Sequence, residues 1–406
     1  ILCLLSKNPY LSANLTIIII LTLILMKARL LAVLLIISFN MTYAQNDYSS
    51  MWKEVEKLEN QSLPKSALEE VDRIYHAAMK DKNSPQAVKA MLHQIKYATA
   101  IDQDVLPDKL KEMEAYAEAS KDPAEQSVIY ALLAKLYNQY YLSGRYEINQ
   151  RTAVADYVPE DMREWPANVF IKKMFDCVRL SVQPAELLQR TGASEYAAIL
   201  VEGDASPKLR PTLYDLLMNE GISTLNSLNK DYLSVRNYYP QTKLSSQDYF
   251  SPAEEFIGLT IRPAEYDIVP TVLKMYQDLL IFRVNVPRIY YSSPDPKANG
   301  GGQPPVDYRD EAQLMADLDR LEFVMNNSTL SKTGDYYIIA LETLKEKNRD
   351  NGFCVEIIDR QAGYYIEQHY IPANSYEYDT TGRPSTPIDY SNLGKAYELL
   401  LEGINR

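Results

Sequence analysis

Three short clusters carry the residue types that acyl-transfer chemistry uses. Ser62-Leu63-Pro64-Lys65 sets a hydroxyl three residues before an amine, Ser227-Leu228-Asn229 sets one two residues before a carboxamide, and Lys332-Thr333-Gly334 follows. A serine becomes a nucleophile when a neighbouring base takes its proton, a role the lysine can fill. Such chemistry needs the serine at a buried helix start and the Lys-Thr-Gly run on a strand edge. In this chain Pro64 sits inside the first cluster, which precedes an amphipathic surface helix, and Lys332 opens a segment of helical periodicity.

The order of these clusters is that of penicillin-binding proteins and class A β-lactamases. Runs this short arise by chance in 406 residues, and the contexts argue against the chemistry, so the expectation is no enzyme. Other chemistry has less support. Asp307-Tyr308-Arg309-Asp310-Glu311 and Asp102-Gln103-Asp104 are acidic clusters without the Gly and Glu of a calcium loop, and read as solvated helix ends. His76, His93 and His369 show no zinc-ligand spacing. No nucleophile-elbow, Walker or dinucleotide fingerprint occurs. Neither a metal nor a cofactor is expected, and no catalytic or binding residue is singled out.

The chain's front end bears on where it works. Residues 26–44 have a basic start (Lys27, Arg29), an apolar run from Leu30 to Phe39, and Thr42-Tyr43-Ala44 before Gln45. That is the layout of a cleavable secretory signal, and the run is short for a spanning helix, which needs about 20 apolar residues. Residues 1–25 read as translated leader from a start site placed too far upstream. The mature chain is then expected to be exported to the periplasm, cell envelope or outside, with no membrane span.

Removing residues 1–44, which hold Lys7, Lys27 and Arg29 and no acids, takes the net charge from −12 to −15. This balance disfavours nucleic acid, whose binders carry basic stripes. Cys177 and Cys354 remain; they read as buried small apolar residues, with one disulfide as the alternative. Glycine is scarce, at 14 residues, while tyrosine reaches 32. Phosphate loops and nucleophile elbows use glycine freely, so the composition leans towards an all-α architecture.

Helical periodicity supports that class: stacked helical hairpins, a tetratricopeptide-like α-solenoid with a less regular central section. In 46–145, Leu68, Val71, Tyr75 and Ala78 share one face, with Ser66 and Glu69 in capping-box spacing. Ser84-Pro85 opens a second helix with the stripe Val88, Met91, Leu92 and Ile95. A second hairpin opens at Pro107 and at Asp122-Pro123, and Leu68 to Leu110 gives a period of 42 residues. Section 146–290 is helical but irregular. There Tyr214, Leu217, Met218, Gly221, Leu225 and Leu228 fall on one face, while 229–270 reads as loop with short turns. Residues 291–308 read as a Pro/Gly-rich linker. In 309–406, helices are expected at about 309–326, 333–348 and 353–370, the last despite β-prone stretches. Finally Tyr390, Leu393, Gly394 and Tyr397 match the first-helix spacing of a tetratricopeptide unit, with Tyr for Trp. With no partner helix after it, a fragment of a longer protein is expected.

"MWKEVEKLENQSLPKSALEEVDRIYHAAMK" (51–80) and "KLRPTLYDLLMNEG" (208–221) together resemble the amino-terminal region of large bacterial α-2-macroglobulin-like proteins. The resemblance spans most of residues 46–406. It implies an exported helical segment ahead of β-sandwich domains, in a protein that traps proteases and so has proteins as partners. In many members a thioester forms within Cys-x-Glu-Gln. Here the run is Cys354-Val355-Glu356-Ile357, and Ile has no carboxamide to acylate the sulfur, so no thioester is expected. The reading is a non-catalytic scaffold or docking region of such an inhibitor. The alternative is a stand-alone tetratricopeptide-like extracytoplasmic protein that binds glycans or peptides.

Overall fold

A computed structural model describes residues 47–154, 157–201, 209–230, 239–285, 309–373 and 390–406. The signal, the upstream leader and the 291–308 linker lie outside the described residues. The chain divides into two compact units, one ending at Ile101 and one starting at Asp102. Both are all-α, and the described residues contain no strand, only isolated bridges.

The first unit is three helices: α1 (Tyr48–Asn60), α2 (Pro64–Asp81) and α3 (Ser84–Ile101). Asp47 caps α1 by accepting from the Ser50 amide at 3.2 Å. The turn from α2 to α3 is only Lys82-Asn83: Lys82 takes a left-handed φ of 54° and the Asn83 amide closes onto the Ala78 carbonyl at 2.9 Å. So short a link forces α2 and α3 alongside each other as a hairpin. Ala67, Ala78, Ala87 and Ala90 are all buried between the helices. Their small side chains let the backbones approach, while Val55, Val71, Ile74 and Tyr97 fill the remaining space.

Two expectations for α2 need correction. The helix starts at Pro64, with Leu63 in the capping position and no side-chain cap. Pro64 has no amide to satisfy and a φ already set for a helix, so Ser66 falls inside the first turn and caps nothing. The buried face is Ala67, Val71, Ile74 and Ala78; Leu68 and Tyr75 are only half-buried at its edge. Larger side chains drew the expected stripe towards themselves, whereas the close packing selects the alanines.

The second unit runs through α4 (Leu106–Ala119), α5 (Pro123–Ile148), α6 (Ala167–Ser181), α7 (Leu213–Lys230), α8 (Ile268–Asn285), α9 (Arg309–Asn327), α10 (Thr333–Lys347), α11 (Cys354–Ala373) and α12 (Ser391–Ile404). Each of these packs against the next, the solenoid-like order of contacts, and α7 also touches α5. Asp122 caps α5, accepting from the Ala124 amide at 2.9 Å ahead of Pro123. α4 and α5 have 14 and 26 residues, against 18 each in α2 and α3, so the second hairpin is not a copy of the first.

On α7, Tyr214, Leu217, Met218, Leu225 and Leu228 are buried. Gly221 sits among them because a side chain there would meet Val178 of α6 and Met275 of α8. Between the long helices lie short turns at Met162–Glu164, Ala185–Leu188, Ala193–Ile199, Gln247–Phe250 and Ala253–Phe256. Buried polar side chains hold the last two. Gln277 of α8 donates to the Phe256 carbonyl at 3.2 Å and to that of Leu259 at 2.7 Å. Arg320 of α9, fully buried, lies over the Phe256 ring at 4.4 Å, bonds Asp317 at 2.9 Å and donates to the Tyr249 and Ser251 carbonyls. α11 is helical throughout, with Ile358 and Ala362 buried. The β-prone residues of this segment are thus overridden by the apolar face it offers its neighbours.

Candidate functional site

Of the three acyl-transfer clusters, the second and third carry structural contacts and the first is largely exposed. Ser62 is an exposed turn residue with φ 57°, placed before Pro64, and Lys65 is exposed on α2. Ser227 lies inside α7, donating to the Thr224 carbonyl at 2.7 Å and accepting from Asn138 at 2.7 Å. Asn229 donates to Asn327 at 2.9 Å. Lys332 precedes α10, and Thr333 bonds the Leu330 carbonyl at 2.6 Å and Ser328 at 3.0 Å. Gly334 lies beneath the Tyr364 hydroxyl, which a side chain there would have to displace. Its smallness therefore has a packing cause.

Asp102 accepts from the Asp104 amide at 3.0 Å and caps the turn that follows. Asp310 and Glu311 stand in the first turn of α9, where acids favour the positive end of a helix; Asp307 and Tyr308 lie outside the described residues. Among the described residues no group of three His, Cys, Asp or Glu side chains is arranged to hold a metal. Cys177 and Cys354 are both free and buried, so the disulfide alternative is not what the structure contains. Burial pushes the Cys177 thiol up to about 12 and raises that of Cys354. Ile357, the residue in place of the thioester glutamine, is fully buried.

Among the described residues, α12 leaves a run of apolar side chains open. Ala396 is its buried residue, and the helix packs against α11, with Gly403 beside Ile358. Lys345 ties it down through Glu402 at 3.1 Å, and Arg406 donates to the Arg349 carbonyl at 2.8 Å. Tyr390, before the helix, stacks on His369 at 5.6 Å. Yet Tyr397, Leu400, Leu401 and Ile404, at offsets 0, 3, 4 and 7, are all exposed, Tyr397 by 64% and Ile404 by 80%. That spacing is one face of a helix. Leu393, Gly394 and Tyr397 of the tetratricopeptide-like spacing lie on a helix that Tyr390 precedes, but Tyr390 and Tyr397 are exposed and Gly394 has open space around it. The sequence reading singled out Tyr390, Leu393, Gly394 and Tyr397 and passed over this stripe; packing shows that no described residue covers it.

No helix of the described residues is long and apolar enough to cross a membrane. Comparison of the chain with family models, with curated proteins and with solved structures gave no match.

Proposed function

We propose that this chain is a non-catalytic docking scaffold, the amino-terminal helical region of an exported α-2-macroglobulin-like protease inhibitor, and that it engages protein partners through α12. The observation that carries the reading is the exposed face of Tyr397, Leu400, Leu401 and Ile404. Apolar side chains ordered along one face of an anchored helix favour association, because burying each contributes roughly 1.5–3 kcal/mol. The family assignment rests on the resemblance of residues 51–80 and 208–221. The absence of a glutamine after Glu356 keeps covalent trapping out of this region.

The test uses the full-length native protein incubated in excess with trypsin. The expected result is loss of trypsin activity on casein with retention on a small chromogenic peptide, and weaker protection by a Tyr397→Glu/Leu401→Glu variant. Undiminished casein cleavage would refute the inhibitor role. Full protection by the double variant would refute docking through α12.

A further inference from the structure

α4, α5 and the turn Met162–Glu164 enclose a cleft of about 370 Å³, within the range of small-molecule sites. One side is aromatic. Half-buried Trp165 is held by its Nε1 donating to the Pro159 carbonyl at 2.8 Å and by an edge contact with Phe170. Tyr137 lies below it, ring centroids 6.0 Å apart. Deep in the wall, Glu114 accepts from the Tyr137 hydroxyl at 3.2 Å and is paired with Lys173. These groups are fixed before any ligand arrives.

The rim is different: charged and partly exposed, with Arg163 half-buried and also donating to the Asp104 carbonyl. Arg163 stands 3.2 Å from Asp108 and 3.2 Å from Asp161, and Lys111 is 3.8 Å from Glu160. Exposed pairs of this kind contribute little to stability, so exchanging them for bonds to a ligand costs little. Both signs of charge surround the opening. A strongly cationic or anionic ligand would meet repulsion on one side. A neutral ligand dense in hydroxyl groups finds acceptors in the carboxylates and donors in Lys111 and Arg163. Its C–H face would rest on the indole of Trp165.

We propose that this cleft binds a short neutral saccharide. The cleft shares no residue with the α12 face and stands whether or not the chain is part of a protease inhibitor.

The chain has two tryptophans, so a full-length Trp52→Phe variant leaves Trp165 as the reporter. It is titrated with maltotetraose, cellotetraose, mannotetraose and chitotetraose, following indole emission. The expected result is a saturable shift with at least one, at millimolar affinity or tighter. Adding Lys111→Met and Asp161→Asn, both at exposed rim positions, should weaken it roughly tenfold with helicity unchanged by circular dichroism. No saturable response to any of the four overturns the proposal. So does a response that the rim variant leaves intact, or a response to tetralysine alone, which would make the cleft a cationic peptide site.

Discussion

Arg283 of α8 and Asp215 of α7 form an ion pair of 3.0 Å with their side chains 1% and 0% exposed. The Asp215 carboxylate also accepts from the Thr212 amide at 3.1 Å and hydroxyl at 2.8 Å, and Arg283 donates to the Leu209 carbonyl at 2.6 Å. One carboxylate thus holds the entry of α7 and the neighbouring helix together. Asp215→Asn keeps the shape and leaves a buried guanidinium without its counter-charge. The expected loss is about 3–5 kcal/mol, read as a fall in the urea midpoint. The pair Asp215→Leu with Arg283→Met should recover part of it, because the apolar replacement buries no charge but leaves the Thr212 amide without its acceptor. A single variant as stable as the parent would show that the pair contributes little.

Gly221 gives a packing prediction. A side chain there would come within 2.9 Å of Val178 Cγ1 and 2.8 Å of Met275 Cε. Met can move its end; β-branched Val178 has little freedom. Gly221→Leu should therefore cost about 1–3 kcal/mol by overpacking. Gly221→Ala should come near balance, its clash offset by a helix-propensity gain of about 1 kcal/mol. Thermal melts of both variants check the contrast.

His93 predicts acid sensitivity in the first unit. Burial, then the charges of Lys96 and Lys89, hold its pKa down to about 4 from 6.5, against an opposing pull from Glu59. Trp52 and Tyr97 rings flank it at 4.7 and 5.8 Å. Above pH 6.5 the imidazole is neutral folded or unfolded and has no linkage effect. As pH falls from 6.5 to about 4, the unfolded chain binds a proton that the folded chain refuses, so stability drops. The imidazole is only half-buried, and with solvent screening the loss is on the order of 1 kcal/mol. His93→Phe should flatten this part of the profile; parallel profiles for variant and parent would refute it.

The thiols supply a chemical check. With both buried and their ionisation disfavoured, Cys177 and Cys354 should resist iodoacetamide at neutral pH, since the thiolate is the reactive form. In denaturant both should alkylate without a reductant, as peptide mapping would show. Alkylation of either in the folded chain contradicts its placement.

Most helices were legible because proline and aspartate punctuate them: Ser84-Pro85 and Asp122-Pro123 mark starts that the structure keeps. The apolar face of α7 was legible down to its glycine. What was hidden depends on partners distant in the chain. Arg320 reaches carbonyls 69 and 71 residues away, and a carbonyl has no side-chain signature. The cleft around Trp165 draws on residues from Pro107 to Trp165 with no shared spacing. On α2 the expected stripe kept Val71 and Ala78, while Ala67 and Ile74 took the buried places expected for Leu68 and Tyr75.

A short strap at Leu244 joins segments far apart in the chain. Its amide donates to the Asn327 carbonyl at 3.1 Å, and its carbonyl accepts from the Thr329 amide at 2.8 Å. Neighbouring helices meet after closing short stretches of chain, whereas this clasp joins segments more than eighty residues apart. Closing a longer loop costs more entropy, and non-local contacts slow folding. We therefore expect helix pairing first and the strap last. In pulse-labelled refolding, the Leu244 and Thr329 amides should gain protection after those inside α7, and earlier protection would refute this order.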